Sequence, residues 1–330
     1  MKFLRIVLFA LTALIALAGL AFAYAWFFDP FSPDVVVADA APDGVRIEQD
    51  GLIANYYAPQ GEGRHPGVLL LGGSEGGIGE GLVPIAQALV DEGYAVIVPS
   101  YFGAPGQNRR LEFVPLETFD TALGVLASQP EVDGARLGVV GGSKGAEAAL
   151  IVATRHPEVK AVVAAMPTSV VWQGIDWNFL KMMFDAPGSS WSLAGEPVPY
   201  LPGGRPEKWR GVIADIYIAG LQALDAHQDA IIPVESITAP ILLICGEQDT
   251  LWPSCMMADQ VRERSMERAG PPVTILRYEG AGHAVFGAPL DESSPNFEKL
   301  AVFGGDPADN NAARAQSMAA MTAFLRDALN

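Results

Sequence analysis

The sequence predicts a three-layer α/β domain with a mostly parallel central sheet and helices on both of its faces. Most strand-like runs are continuous apolar stretches, which is typical of strands buried on both faces. Helix-length stretches such as "VPIAQALVDEG" and "LETFDTALGVLASQ" separate the runs, an order that indicates parallel crossovers. In chain order, the runs are "VRIEQDGLIANYYAP", "PGVLLLGG", "YAVIVPSY", "ARLGVVGG", "VKAVVAAM", "APILLICGE" and "PVTILRYEG".

Length and composition favour one large domain with little attraction for polyanions. The chain has 330 residues, of which 50% are hydrophobic, so it can bury a sizeable core. Its formal net charge of −17 at pH 7 argues against nucleic acid or an anionic membrane surface as a partner. The two cysteines, Cys245 and Cys255, allow at most one disulfide and form no CxxC motif, and the sequence leaves their pairing open.

Residues 1–28 are predicted to be a signal-anchor or transmembrane segment, followed by a linker over 29–44 and one domain over 45–330. Lys2 and Arg5 precede 23 uncharged residues, Ile6 to Phe28. As a helix this run would be about 34 Å long, enough to cross a bilayer core. Positive charge before it and acidic residues after it place the domain on the exported side of the membrane. The small residues of "AFAYA" leave signal cleavage and secretion as the alternative.

One serine lies where an apolar run meets a helical pattern. The strand-like "RLGVV" is followed by "GGSKG", which fits GxSxG at Gly141, Ser143 and Gly145, and then by the helical stretch "GAEAALIVATRH". A sharp strand-to-helix turn strains the backbone at the serine, and glycine neighbours avoid a clash between strand and helix. We therefore predict Ser143 as a nucleophile. The backbone amide of Lys144, at the helix N-terminus, is a predicted oxyanion donor.

The expected partners of the serine are an acid and a histidine, in that order along the chain. His283, in "YEGAGHAVFG", follows the last apolar run on a Gly-rich loop. The run "APILLICGEQDTLWPS" leaves Glu247 and Asp249 on the loop after another buried strand, and we predict Asp249 as the acid. The alternative role of Asp249 is an N-cap for the helix that follows.

A Gly-rich loop, "GGSEGG" at residues 72–77, follows the run "PGVLLL". Its backbone amides are open, and the amide of Ser74 is the predicted second oxyanion donor. The same stretch, with Gly73, Gly77 and Gly79, also fits a dinucleotide-binding turn. However, no acidic residue ends the next strand and no YxxxK follows, so we expect no cofactor. The absence of GxxxxGK[ST] and HExxH gives no support for phosphate-loop or zinc-protease chemistry.

A lid insertion is expected over about 168–236, between the strands near 160–166 and 240–245. It is rich in aromatic residues and methionines, which can line an apolar acyl pocket. Packing of the same side chains between lid and sheet is an equal alternative. The residues predicted to bind substrate are Trp172, Trp177, Phe179 and Met183.

From about Pro66 to its C-terminus, the chain resembles the acyl-CoA thioester hydrolase and bile acid-CoA:amino acid N-acyltransferase C-terminal family, a branch of the α/β-hydrolase superfamily. The resemblance implies an α/β-hydrolase fold, with Ser143 as nucleophile, Asp249 as acid and His283 as base. Dienelactone hydrolases are a more distant resemblance, usually with cysteine at the position of Ser143. The segments that carry the resemblance are "QPEVDGARLGVVGGSKGAEAAL", "IIPVESITAPILLICGEQDTLWPS", "YEGAGHA" and "FGGDPADNNAARAQSMAAMTAFL".

These features together predict a serine acyl hydrolase that works through a covalent acyl-serine intermediate. The resemblance implies an acyl-CoA thioesterase, and the partner is then a small-molecule acyl ester or thioester. Three alternatives stay open: an exported carboxylesterase of the dienelactone hydrolase kind, an acyltransferase to an amine, and a catalytically silent ligand-binding protein. The oligomeric state is not predicted.

Overall fold

An eight-stranded mixed sheet forms the centre of the computed structural model, which describes residues 2–30, 32, 34–40 and 42–329. The strand order is β1-β2-β4-β3-β6-β7-β10-β11, in which the pairs β1–β2 and β2–β4 are antiparallel and the others parallel. The strands are β1 (Gly44–Gln49), β2 (Leu52–Tyr57), β3 (His65–Leu71), β4 (Ala95–Ser100), β6 (Val132–Gly142), β7 (Val159–Ala165), β10 (Ile241–Gly246) and β11 (Val273–Tyr278).

Helices cover both faces of this sheet, as the sequence predicts. Along β3, Leu69 and Leu71 pack in one buried cluster while Val68 and Leu70 pack in the other, because successive side chains of a strand point to opposite faces. Helices α3 (Glu117–Ser128), α4 (Lys144–Arg155) and α7 (Ser254–Glu267) cover the first face. Helices α2 (Leu82–Asp91) and α8 (Pro307–Leu329) cover the second.

The run "VRIEQDGLIANYYAP" forms two strands rather than one. Asp50 and Gly51 have φ angles of 50° and 79°, so the chain reverses between β1 and β2 in a tight hairpin. Asp-Gly is a favoured pair for such a turn because both positions need positive φ. The turn residues therefore explain why the run divides at this point.

An insertion lies between β7 and β10, where the sequence predicts it. It contains α5 (Phe179–Phe184), α6 (Ala214–Leu221) and the short strands β8 (Trp191–Leu193) and β9 (Glu196–Pro197). Strand β8 also pairs with β5 (Val114–Pro115), which precedes α3, so the insertion is joined to the main domain by a second, three-stranded sheet. A third buried cluster packs inside the insertion and against α7; its members are Val170, Trp172, Leu201, Ala230, Trp252 and Met257.

Helix α1 (Lys2–Phe28) is the one described helix long and apolar enough to cross a membrane. It has 27 residues, and none of them is buried against the rest of the chain. Its length and composition fit either a signal sequence or a membrane anchor.

A buried ion pair joins α4 to the insertion. Lys144 Nζ lies 2.7 Å from Glu147 Oε2, and the two side chains are only 2% and 0% exposed. Glu147 Oε1 accepts hydrogen bonds from the indole of Trp191 at 2.7 Å and from the backbone N–H of Trp172 at 3.2 Å. Burial lowers the pKa of Lys144 and raises that of Glu147, and the opposite charge of the partner counteracts both shifts. Each side chain therefore stabilises the charged form of the other.

We predict that Lys144→Met destabilises the protein by about 3 kcal/mol or more, because it leaves the Glu147 carboxylate buried without its cation. Urea unfolding of the two proteins would measure the difference. The matched control is Arg326→Met, which removes one end of the exposed pair with Glu92 and should leave the unfolding midpoint nearly unchanged. Equal midpoints for wild type and Lys144→Met would contradict the prediction.

Candidate active site

Ser143 occupies the turn between β6 and α4 in a strained conformation. Its φ and ψ are 56° and −119°, a region that side-chain-bearing residues rarely adopt. The neighbouring glycines are required by close packing: a Cβ on Gly141 would lie 2.0 Å from the carbonyl oxygen of Gly145. A Cβ on Gly145 would lie 2.2 Å from the carbonyl oxygen of Gly72. The predicted steric reason for both glycines is confirmed.

Three polar side chains from distant parts of the chain form a hydrogen-bonded series at the carboxyl edge of the sheet. His283 Nε2 lies 3.0 Å from Ser143 Oγ, and His283 Nδ1 lies 2.8 Å from Asp249 Oδ2. A carboxylate can only accept, so Nδ1 donates to Asp249 and Nε2 of the neutral ring accepts from the serine hydroxyl. The structure thus brings together the three residues that the sequence singles out.

The imidazole of His283 is held by packing as well as by hydrogen bonds. The rings of Trp252 and Phe303 approach it edge to face, with centroid distances of 5.9 and 6.2 Å. The backbone N–H of His283 also donates to the carbonyl of Phe303. These contacts fix the ring between Ser143 and Asp249.

Asp249 is bound within its own loop. Its Oδ1 accepts from the backbone N–H groups of Leu251 and Trp252, at 3.0 and 3.2 Å. Its Oδ2 accepts from Ser254 Oγ at 2.7 Å as well as from His283. Asp249 therefore orders the loop, but it is not the N-cap of α7, a position that Pro253 occupies.

A disulfide between Cys245 and Cys255 closes this loop, which answers the question that the sequence leaves open. Cys245 is the penultimate residue of β10, and Cys255 is the second residue of α7. The carboxylate of Asp249 and all three of its donors within the loop lie between the two cysteines. The covalent link thus restrains the segment that presents Asp249 to His283.

The two predicted oxyanion donors lie on either side of the serine turn. The backbone N–H groups of Ser74 and Lys144 hydrogen-bond to no acceptor among the described residues. A Cβ on Gly73 would lie 3.5 Å from the Cβ of Ser143, which shows how closely the Gly-rich loop approaches the nucleophile. The Lys144 side chain points into the buried pair described above, so only its backbone can serve the site.

Two further residues that the sequence analysis missed hold the Gly-rich loop. The buried hydroxyl of Tyr101 lies 2.7 Å from the carbonyl of Gly72 and 2.6 Å from that of Gly73, so one hydrogen is shared between them. Glu75 Oε1 accepts from the backbone N–H of Gly73 at 3.1 Å. Tyr101 directly follows β4. Its position at the carboxyl end of a strand is the feature of the sequence that could have placed it near the site.

A cavity of about 420 Å³ opens above Ser143 and His283. Its walls are mainly apolar and come from helices α2 and α8, from the insertion and from the loops at the carboxyl edge of the sheet. This volume and chemistry suit an acyl chain better than a large polar group. The apolar side chains that line it include Ile85, Met166, Trp177, Leu251, Phe286 and Phe303.

The predicted lid residues divide between cavity, core and surface. Trp177 lines the cavity, and its indole N–H donates to the carbonyl of Ser74 at 2.8 Å. Trp172 does not line it: the side chain is fully buried inside the insertion, edge to face with Tyr217. Met183 is exposed on α5 and is not part of the cavity wall. Phe179 begins α5, and its side chain lies outside the described part of the structure.

One cation lines the cavity. The guanidinium Nε of Arg314, on α8, donates to the carbonyl of Ala288 at 2.9 Å. No carboxylate of the described residues forms an ion pair with it. Burial lowers the pKa of Arg314, yet the guanidinium is charged at any physiological pH. Glu75 lines the same cavity, but a negative group on a ligand would find in Arg314 a guanidinium that forms no ion pair with the described residues.

The fold is of the α/β-hydrolase class. A putative dienelactone hydrolase from Klebsiella pneumoniae subsp. pneumoniae MGH 78578 aligns with a TM-score of 0.53 at 16% identity, over 86% of this chain and 97% of that chain. A puromycin-hydrolyzing peptidase of Mycobacterium tuberculosis aligns with a TM-score of 0.57 at 18% identity, over 87% of this chain and 39% of that chain. The predicted α/β-hydrolase fold is confirmed.

Within this class, the chain belongs to the BAAT / acyl-CoA thioester hydrolase C-terminal family, whose model matches residues 114–330. Mouse acyl-coenzyme A thioesterase 5 is 28% identical over 290 residues, which cover 86% of this chain and 63% of that protein. Mouse acyl-coenzyme A amino acid N-acyltransferase 1 is 27% identical over 308 residues, which cover 86% of this chain and 65% of that protein. The chain thus spans less than two thirds of either relative. Membership of this family disfavours the dinucleotide-binding alternative.

We predict that replacing both cysteines with alanine lowers the free energy of unfolding by about 3 kcal/mol, because the unfolded chain loses the restraint of a crosslink between residues 10 positions apart. Turnover should fall too, because Asp249 loses its restraint. Urea unfolding with and without dithiothreitol would test this: reductant should lower the midpoint of wild type and leave that of the double variant unchanged. A wild-type midpoint insensitive to reductant would contradict the prediction.

Proposed function

We propose that this protein is a serine acyl hydrolase that cleaves acyl thioesters or esters, with acyl-CoA thioesters as the favoured class. The observation that carries the proposal is the hydrogen-bonded series from Ser143 through His283 to Asp249. It is supported by the apolar cavity above the serine and by the thioesterases among the relatives.

In the proposed first step, Ser143 Oγ attacks the acyl carbonyl carbon while His283 Nε2 takes the hydroxyl proton. Asp249 stabilises the imidazolium through Nδ1. The tetrahedral intermediate collapses when the bond to the leaving group breaks and His283 returns the proton to that sulfur or oxygen. A water molecule, deprotonated by His283, then attacks the acyl-serine. The bond to Ser143 Oγ breaks, His283 returns the proton to that oxygen, and the carboxylic acid leaves.

The negative oxygen of each tetrahedral intermediate would be held by the backbone amides of Ser74 and Lys144. Such donors are effective because they are aimed before the charge develops and need no reorganisation. Tyr101 and Glu75 position the loop that carries Ser74. They act through the loop and do not touch the reacting atoms.

Three observations favour a second candidate, an exported esterase acting on uncharged acyl esters. The disulfide Cys245–Cys255 is typical of proteins that fold in an oxidising compartment. The apolar helix α1 would direct the domain out of the cytoplasm, whether it stays as an anchor or is removed. The net charge of −17 also gives no long-range attraction for a polyanionic thioester.

Covalent labelling tests the nucleophile. A fluorophosphonate probe should label the purified full-length chain at Ser143, and Ser143→Ala should abolish labelling and lower turnover about 10⁶-fold. The matched control is Ser236→Ala, which removes an exposed hydroxyl and should leave labelling intact. Equal labelling of wild type and Ser143→Ala would contradict the proposal, and so would an unlabelled wild type.

Substitution of Arg314 distinguishes acyl-CoA thioesters from uncharged acyl esters as substrates. If the leaving group is coenzyme A, Arg314→Met should raise KM for butyryl-CoA about tenfold or more, because a hydrogen bond from a cation to phosphate is lost. KM for p-nitrophenyl butyrate, which has no phosphate, should stay within about twofold of wild type. Arg314→Lys keeps the charge and should give a smaller effect. Equal KM changes for both substrates would contradict a role for Arg314 in holding coenzyme A.

A further inference from the structure

Helix α1 does not stand free of the domain, because its last turns contact the insertion. The side-chain amide of Asn178 donates to the carbonyl of Ala25 at 2.9 Å. The ring of Phe184, on α5, meets that of Phe22 edge to face with a centroid distance of 6.0 Å. The same Asn178 side chain caps α5 by accepting from Leu180 and Lys181. One residue thus ties the apolar helix to the start of α5.

These contacts lie at the end of α1 that would emerge from a bilayer. The helix has 27 residues and is therefore about 40 Å long, whereas a hydrocarbon core is about 30 Å thick. Tyr24 and Trp26 lie in this part of the helix, and Tyr and Trp collect where the membrane meets water. If α1 spans a bilayer, its contact with the insertion therefore lies at the level of the lipid headgroups.

An exposed apolar patch extends from this contact to the catalytic cavity. We call Trp177, Met183 and Phe184 the mouth patch; they are 43%, 53% and 64% exposed. Trp177 lines the cavity and is the neighbour in sequence of Asn178, which binds α1. The segment 177–184, which carries the patch, thus reaches from the wall of the cavity to the contact with the membrane end of α1.

We propose that the mouth patch lies on the surface of the bilayer that holds α1, and that the site takes acyl chains directly from that leaflet. The inference rests on the proposed acyl hydrolase function and names its substrate class as acyl groups resident in a membrane. A tethered domain meets such substrates at high effective concentration. The acidic surface of the chain does not oppose this on zwitterionic lipid, where apolar burial supplies the attraction.

The experiment compares two esters with one leaving group, cleaved by the full-length chain reconstituted into phosphatidylcholine vesicles. 4-Methylumbelliferyl palmitate resides in the bilayer, and 4-methylumbelliferyl butyrate is dissolved in water. Phe184→Asp should lower the ratio of palmitate to butyrate turnover about tenfold, because the charge opposes insertion of the patch. The control Met266→Asp, on α7 at a side chain that is 75% exposed, should leave the ratio unchanged.

Each ratio is taken within one protein, so a smaller folded fraction cancels. An unchanged ratio in Phe184→Asp, or an equal fall in Met266→Asp, would overturn this inference and leave the proposed function standing. A wild type that cleaves neither these esters nor butyryl-CoA would instead overturn the proposed function.

A second measurement does not depend on catalysis. Brominated phosphatidylcholine quenches tryptophans that lie in or on the bilayer. The quenched fraction of the total fluorescence should fall in Trp177→Phe and not in Trp209→Phe, which removes another exposed tryptophan of the insertion. Equal quenching in both variants would contradict membrane contact of the patch. Mass spectrometry of the chain isolated from membranes should show α1 still attached, and a cleaved chain would also contradict the inference.

Discussion

The close packing of three backbone segments around Ser143 is the constraint on which the site depends. Carbonyl oxygens approach the Cα atoms of Gly141 and Gly145 so closely that a methyl group would lie about 2 Å from them. The end of β6, the start of α4 and the Gly-rich loop after β3 are therefore locked together. This packing forces positive φ on Ser143 and lifts its hydroxyl above the sheet edge, within reach of His283. It also brings the amide-rich loop beside the nucleophile.

Two further interactions, a buried ion pair and a disulfide, restrain elements of the site that backbone packing does not fix. The Lys144–Glu147 pair links α4 to Trp172 and Trp191 of the insertion. The insertion is therefore fixed to the helix that follows the nucleophile. The disulfide closes the loop that presents Asp249. The first interaction is a buried ion pair, and the second is a covalent bond. Both restrain elements that carry site residues, which preorganises the hydrogen-bonded series before any ligand arrives.

The placement of the insertion gives a physical reason for the proposed arrangement of a hydrolase held at a membrane. A route from the lipid would let an acyl chain enter the apolar cavity of about 420 Å³ without crossing water. Trp177 stands in the cavity wall, and the adjacent Asn178 is bonded to the last turns of α1. In the proposed arrangement, the same contact that docks the helix also directs the mouth of the site to the lipid surface.

Local patterns of the sequence determined the elements and the catalytic candidates. Continuous apolar runs predicted the parallel strands, and GxSxG at a strand-to-helix junction predicted the turn at Ser143, because both are properties of adjacent residues. Asp249 and His283 were found because loops after parallel strands meet at one sheet edge, so chain order alone limits the choice. Only the tertiary structure decided what depends on distant contacts. Trp172 and Trp177 are alike in sequence, yet one is buried by Tyr217 and the other faces the cavity. The bond between Cys245 and Cys255, the roles of Tyr101 and Glu147 and the docking of α1 likewise depend on which surfaces meet in space, and no local pattern encodes that.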